Sequence, residues 1–181
     1  MGTSPPLTYK IATEDWELEA IHRLNYKTFV EEIPQHQANP DKKLIDTFHD
    51  ENTYFICLQG DRLIGMVAVR ANRPFSLDKK LDRLESYLPE ALREGRSMCE
   101  IRLLAMDKAY RSSRIAYKLL QKMGQYCERQ GYDLWLISGT TEQIRLYGHI
   151  GFKPFGPLVG APGAQFQPMY LRFESIESRF W

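Results

Sequence analysis

Apolar and polar positions repeat along this chain at two periods, and the switches between them order its elements. After an unpatterned start, "ATEDWELEAIHRLNYKTFV" carries Trp16, Ala20, Ile21, Leu24 and Thr28 at helical spacing. Thr13 serves as the cap, and Glu14, Asp15 and Glu17 suit the positive end of a helix dipole. Pro34 ends that run, and Asn39-Pro40 introduces a second short helix in "DKKLIDTFHD", since proline fits a first helical position. "YFICL" and "LIGMVAVR" then flank Gly60-Asp61, a tight-turn pair that makes them an antiparallel hairpin.

Residues 71–97 form a long connection in which Leu77, Leu81, Leu84, Leu88 and Leu92 recur at helical intervals, with a break at Pro89. Beyond it "MCEIRLLAM" reads as a strand and "RSSRIAYKLLQKMGQYCERQG" as a helix closed by Gly131. "LWLIS" is another strand, "TEQIRLYGHIG" a short helix closed by Gly148 or Gly151, and "FKPFGPLV" and "PMYLRF" are terminal strands. A hairpin followed by alternating strands and helices predicts an α/β (α+β) fold: a mixed, mostly antiparallel twisted sheet with helices on both faces. One domain over residues 1–181 is expected, with residues 71–97 as a helical insertion.

Composition narrows the function classes. Lys plus Arg (24) nearly balances Asp plus Glu (23), so the overall field gives no reason to expect nucleic acid or an anionic membrane as partner. Cys57, Cys99 and Cys127 are odd in number and lack CxxC spacing, which predicts buried free thiols rather than a disulfide framework or a zinc ribbon. His22, His36, His49 and His149 have no metal-ligand spacing, so no metal is expected. No apolar run approaches the ~20 residues of a bilayer span and the N-terminus has no signal-type core, so the chain reads as cytoplasmic.

The local chemistry concentrates at the start of the helix after "EIRLLAM". A helix start offers about four N–H groups and a partial positive charge to an anion. Ser112 and Ser113 keep the approach small there, and Arg111 and Arg114 add donors suited to phosphate oxygens. A capped surface helix with two solvated arginines is the plain alternative.

The stretches "LLAMDKAYRSSRIAYKLL" and "TTEQIRLYGHIGFKPFG" resemble the two signature segments of the GNAT acyltransferase superfamily. Arg111 and Ala116 match its Arg-x-x-Gly-x-Gly/Ala pyrophosphate loop, with Arg114 where glycine is preferred. Leu146, Tyr147, Gly151 and Phe152 match its second run, in which Thr140 and Gln143 replace Asn and Ala. The order of elements fits the superfamily over roughly residues 8–173. The resemblance implies a thioester donor: acetyl-CoA or another acyl-CoA, or the phosphopantetheine of an acyl carrier protein. Its phosphates would lie on Arg111, Ser112, Ser113, Arg114, Ile115 and Ala116, with Thr140 nearby. Its pantetheine arm would run along the strand edge at Leu104, Ala105 and Met106.

Strand alternation puts Met98, Glu100, Arg102, Leu104 and Met106 on one face. Glu100 is therefore the candidate base, against the alternative of a solvated Glu100–Arg102 ion pair, and a backbone N–H near Leu104 to Met106 is the candidate oxyanion donor. Tyr147 matches the superfamily tyrosine that protonates the leaving thiolate; a half-buried core phenol is the other reading.

"LNYKTFVEEIP", "DTFHDENTYFICL" and "CEIRLLAM" also resemble stretches of N-acyl-homoserine lactone synthases and long-chain N-acyl amino acid synthases. Phe29, Asp46, Asp50, Glu100 and Arg102 fall where that pattern has Phe, acidic residues, Glu and Arg, which makes Phe29 and Arg102 substrate-binding candidates. Asn25 stands where the lactone synthases have arginine, and their tryptophan is missing near Ile33-Pro34. The leucines of 71–97 either pack on the sheet or line an acyl or acceptor pocket, and Arg70, Arg73 and Arg96 could hold an acceptor carboxylate.

Three function classes follow: an N-acyltransferase, acetyl-CoA-dependent in its simplest form, acting on a small amine; a long-chain N-acyl amino acid synthase fed by an acyl carrier protein; or a non-catalytic acyl-CoA-binding sensor. Pairing of the C-terminal strands would give a homodimer.

Overall fold

The computed structural model describes residues 2–111, 114–176 and 180. Its strands are β1 (Leu7–Ile11), β2 (Thr53–Gln59), β3 (Arg62–Arg70), β4 (Met98–Met106), β5 (Leu134–Gly139), β6 (Lys153–Pro154) and β7 (Gln167–Arg172), and its α-helices are α1 (Asp15–Tyr26), α2 (Ile115–Arg129) and α3 (Ile144–Ile150). The strands form one seven-stranded sheet in the order β1-β2-β3-β4-β5-β7-β6. β4 and β5 run parallel, whereas β1–β2, β5–β7 and β6–β7 are antiparallel. The mixed, mostly antiparallel sheet with helices is the fold class expected from the sequence. The chain divides into two compact units, one of residues 1–68 and 103–123, the other of residues 69–102 and 124–181.

In the first unit, Ile21 and Phe29 pack with Tyr54, Ile56 and Leu58 of β2, Met66 and Ala68 of β3 and Ala105 of β4. Even positions of β2 therefore face α1, and odd ones face the other way: Cys57 lies near Tyr9 and Lys118, and the Lys118 ammonium stands 5.1 Å over the Tyr9 ring. Helices thus cover both faces. α1 is capped one residue later than predicted, at Glu14, through a reciprocal capping box with Glu17. Lys27–Glu32 then continues it as π-helix, closed by Ile33 N–H donating to Thr28 O at 2.8 Å.

Two predicted elements differ. Residues 41–48 are not helical, because polar side chains take the backbone groups a helix would need. Asn39 bonds Lys43 O, Asp46 Oδ2 accepts from Phe48 N–H, and Leu44 N–H donates instead to His22 O. β1 was not predicted at all, since "LTYKI" is an edge strand with Leu7 and Ile11 left exposed.

In the second unit the leucine-rich connection is three short 3₁₀ turns, Leu77–Lys79, Leu84–Tyr87 and Glu90–Leu92, rather than an α-helix. All five leucines are buried, so the period reported burial correctly and conformation wrongly. Arg73 fastens the connection by pairing with Asp78 and Glu85. Cys99 of β4 and Cys127 of α2 lie with their sulfurs 3.9 Å apart, and all three cysteines are free and buried. β6 is shorter than predicted, with Pro154 lacking an N–H for the ladder; beyond it Phe155 N–H donates to Pro168 O at 3.0 Å, and Val159 and Phe166 form an isolated bridge. Gly151, with φ of 122°, closes α3.

Candidate functional site

β4 is the central element. Its parallel ladder with β5 runs from Met98↔Leu134 to Ile101↔Ile137, while the strand itself continues to Met106. Leu103, two residues past the last rung, has φ of 58°, a left-handed conformation that a non-glycine residue adopts at a cost of about 1–2 kcal/mol. One such residue shifts the alternation as a bulge does. Before it, Cys99 points to α2; after it, Ala105 packs with α1, and Met106 lies over Gly65 on the face away from α1. The single face predicted for Glu100, Arg102, Leu104 and Met106 is therefore broken at Leu103. Leu104, Ala105 and Met106 themselves are buried.

In the first unit, the turn after β4 is fixed by Asp107. Its N–H donates to Ile64 O at 2.7 Å, and its carboxylate accepts from Ala109 N–H and from Arg62 at 2.7 Å. Burial alone would raise the Asp107 carboxyl; those two donors outweigh it and hold it below the usual range. Arg111 then turns back: its guanidinium donates to Met106 O at 3.3 Å and pairs with Glu32 from the π-helical turn. Ser112 and Ser113 lie outside the described residues. Arg114 is exposed and its carbonyl accepts from Lys118 N–H at 3.0 Å, leading into Ile115, which is buried, and Ala116 in the first turn of α2. Phe29 is buried in the core cluster of this unit.

In the second unit, Glu100 is only 1% exposed. Its Oε1 accepts from Ser76 N–H at 3.0 Å, and its Oε2 accepts from Ser76 Oγ at 2.8 Å and Leu77 N–H at 3.0 Å. Arg102 Nε adds a fourth donor, 3.2 Å from Oε1. This is the predicted Glu100–Arg102 pair, but buried and clamped to the first 3₁₀ turn of the connection rather than solvated. Neither Ser76 nor its place beside the strand was foreseeable from spacing, although the adjacent Leu77 opened the apolar stripe. Lys80 ends the same turn, its N–H donating to Leu77 O at 3.1 Å and its ammonium 5.7 Å over the Phe166 ring. Arg70 donates to Pro74 O, Arg73 is held by Asp78 and Glu85, and Arg96 bonds Ala91 O, so the three arginines singled out for a carboxylate are each engaged locally.

Tyr147 is buried in α3, its ring against the backbone of Gly139, where an added Cβ would come within 2.9 Å of it. That burial pushes the phenol well above its usual pKa. Thr140 holds the turn before α3, its N–H and Oγ each 3.2 Å from Gln143 Oε1. A cleft of about 200 Å³ in this unit, bordered by Leu92, Gly151, Tyr170 and Arg172, includes none of these residues. Among the described residues there is no His, Cys, Asp or Glu cluster able to hold a metal, and no helix long and apolar enough to cross a membrane.

By sequence, no curated protein matches the chain significantly. Solved structures with similar folds include FeeM, an N-acyl amino acid synthase from uncultured soil microbes, at 22% identity and TM-score 0.74, covering 94% of this chain and 93% of that one. The CoA-dependent acyl-homoserine lactone synthase BjaI, solved with SAM and isopentyl-CoA, aligns at 20% identity and TM-score 0.68, over 90% of this chain and 77% of its own. The acyl-homoserine lactone synthase LasI aligns at 13% identity and TM-score 0.74, over 93% and 91%. These likenesses establish the GNAT-like fold. A family profile described as N-acyl amino acid synthase FeeM matches residues 20–173, a span that takes in the α1 region, the whole of β4 with Glu100 and Arg102, and the α2 and α3 signatures. The chain is an acyltransferase of the FeeM, homoserine lactone synthase and GNAT type, and it belongs to the FeeM N-acyl amino acid synthase family.

Proposed function

We propose that this enzyme transfers an acyl group from a thioester, carried by CoA or by the phosphopantetheine of an acyl carrier protein, to the amine of an amino acid. The observation that carries the reading is the end of β4, which outruns its ladder with β5 after Ile101 and bends at Leu103. A strand edge of that kind gives its amides to an extended ligand, which suits a pantetheine arm and places few demands on side chains. Backbone N–H groups of Leu104 to Met106 would then stabilise the oxyanion formed when the amine attacks the thioester carbonyl.

The amine must lose a proton before attack, since with a pKa around 10 only about one in a thousand is neutral at pH 7. The C–N bond forms first, giving the oxyanion; its collapse breaks the C–S bond, and the leaving thiolate takes a proton, for which Tyr147 is the proposed donor. Glu100 already accepts from four groups, which disfavours it as a direct base. Its proposed part is positioning: it holds Arg102 and the Ser76–Leu77 turn, and water carries the amine's proton away. Acylation is accordingly expected to accelerate with rising pH as the neutral amine becomes more abundant.

Hydrogen exchange with and without a non-hydrolysable acyl-CoA analogue tests the donor reading. Slower exchange at the amides of residues 103–106 is expected; protection confined to other elements would remove it.

A further inference from the structure

We infer that the outer edge of β1 is a dimerisation surface, to which β1 of a second copy of this chain adds antiparallel about a two-fold axis at Tyr9. β1 ends the sheet, and its register with β2 fixes which of its backbone groups are left over. Ala12 N–H donates to Tyr54 O at 2.9 Å, and Lys10 and Thr8 before it lie opposite Ile56 and Leu58. Backbone groups alternate sides along a strand, so Thr8, Lys10 and Ala12 bond inward to β2, and the N–H and C=O groups of Leu7, Tyr9 and Ile11 point outward. That outward row is closed at both ends: Pro5 has no N–H, and the Thr13 N–H is taken by Glu17 Oε1 at 2.9 Å.

Such a row has one antiparallel self-pairing that uses every member: Tyr9 opposite the second copy's Tyr9, and Leu7 opposite the second copy's Ile11. It adds about six N–H···O bonds, two for each hydrogen-bonded pair of residues. The side chains agree with that register. Leu7, Tyr9 and Ile11 share one face of the strand, Leu7 and Ile11 are each 39% exposed, and the two-fold sets one against the other. On the opposite face Lys10 meets the second copy's Thr8, so no like charges oppose there, and Lys10 is already paired with Glu17 at 2.8 Å. Edge strands are commonly guarded by proline, by unpaired lysine or by shortness. β6, the other edge strand, is two residues long and contains Pro154, whereas the five residues of β1 carry none of these guards. The Lys118 ammonium stands 5.1 Å over the Tyr9 ring in each copy, so the two repel weakly across the axis and salt favours the pair. The symmetry of the row favours a second copy over an unrelated strand.

Sedimentation equilibrium of the full chain across the micromolar range tests the pairing, and wild type is expected to dimerise. Leu7→Lys with Ile11→Lys sets like charges opposite each other on both sides of the axis and should raise the dimer's dissociation constant roughly tenfold or more. Leu7→Lys with Ile11→Glu sets opposite charges there instead and should restore most of the affinity. No contact within one copy can do that, since the two positions lie about 13 Å apart along an extended strand. Hydrogen exchange of the wild type tests the same edge without substitution: the Leu7, Tyr9 and Ile11 amides should exchange more slowly as concentration rises, and those of Thr8 and Lys10 should not change. A monomeric wild type, a dimer that persists when both positions are lysine, equal losses in the two double variants, or exchange at the three outward amides that ignores concentration overturns the assignment. Each of those results leaves the acyltransferase reading standing.

Discussion

Two buried carboxylates, Glu17 at the start of α1 and Glu100 in β4, are held by similar sets of donors but from different distances along the chain. Glu17 takes Lys10 at 2.8 Å and the N–H groups of Thr13 and Glu14, all within seven residues. Glu100 takes Ser76 and Leu77, 24 and 23 residues away, with Arg102 beside it. The first closes a helix end and could be replaced by any good cap. The second ties a strand to an irregular connection, so the shape of that connection depends on one side chain. A buried carboxylate in the middle of a strand can therefore serve as a scaffold.

Glu100→Ala is the severest break of this comparison. It removes the carboxylate that faces Arg102 and leaves three buried donors of the Ser76–Leu77 turn unsatisfied, so a loss of about 3–5 kcal/mol is expected in urea unfolding. A loss below about 1 kcal/mol would show that the clamp is not what holds the connection. Glu17→Ala should cost about 1–2 kcal/mol, the worth of a helix cap, with kcat/KM per folded molecule unchanged. Impaired catalysis in that variant would erase the distinction between the two carboxylates.

A pH series sharpens the contrast further. Burial alone would raise the Glu17 carboxyl, but Lys10 and the two N–H donors outweigh it and hold it below the ordinary value. Its folded pKa is thus depressed, so its contribution is complete above about pH 4.5 and is lost as pH falls through the folded value. The stability gap between wild type and Glu17→Ala should narrow over that acid range; a constant gap would contradict the assigned partners. The smallest effect concerns an exposed pair. Arg111 must leave Glu32 to reach a phosphate, so Arg111→Ala is expected to weaken donor binding only about three- to tenfold, less than a free arginine would give. Glu32→Gln should tighten it, and calorimetry in which both variants match wild type would remove Arg111 from the donor site.

The same contrast of local with distant partners explains what the sequence revealed. β2, β3, β4, α2 and β5 were legible because each carries its own period and its own stop signal, and α1 was misplaced at its cap by a single residue. The connection was not, because five leucines at helical spacing mark a buried stripe whatever the backbone does between them, and the Glu100 clamp that replaces helical hydrogen bonds is non-local. Leu103 was illegible for another reason: nothing in a Leu-Leu pair announces a left-handed residue, and without it strict alternation put Glu100 and Met106 on one face. Arg111 was recognisable as a cation at a helix start, but its partner Glu32 comes from a π-helical turn that no periodicity predicts.

Acyl transfer to an amino acid is tested by mass spectrometry of the products formed from acyl-CoA and ¹⁵N-labelled amino acids. The account predicts an N-acyl amino acid carrying the label, with one free thiol released for each amide formed. Thiol release without a labelled amide, or donor binding with no turnover across acyl-CoA and acyl carrier protein donors, would contradict it.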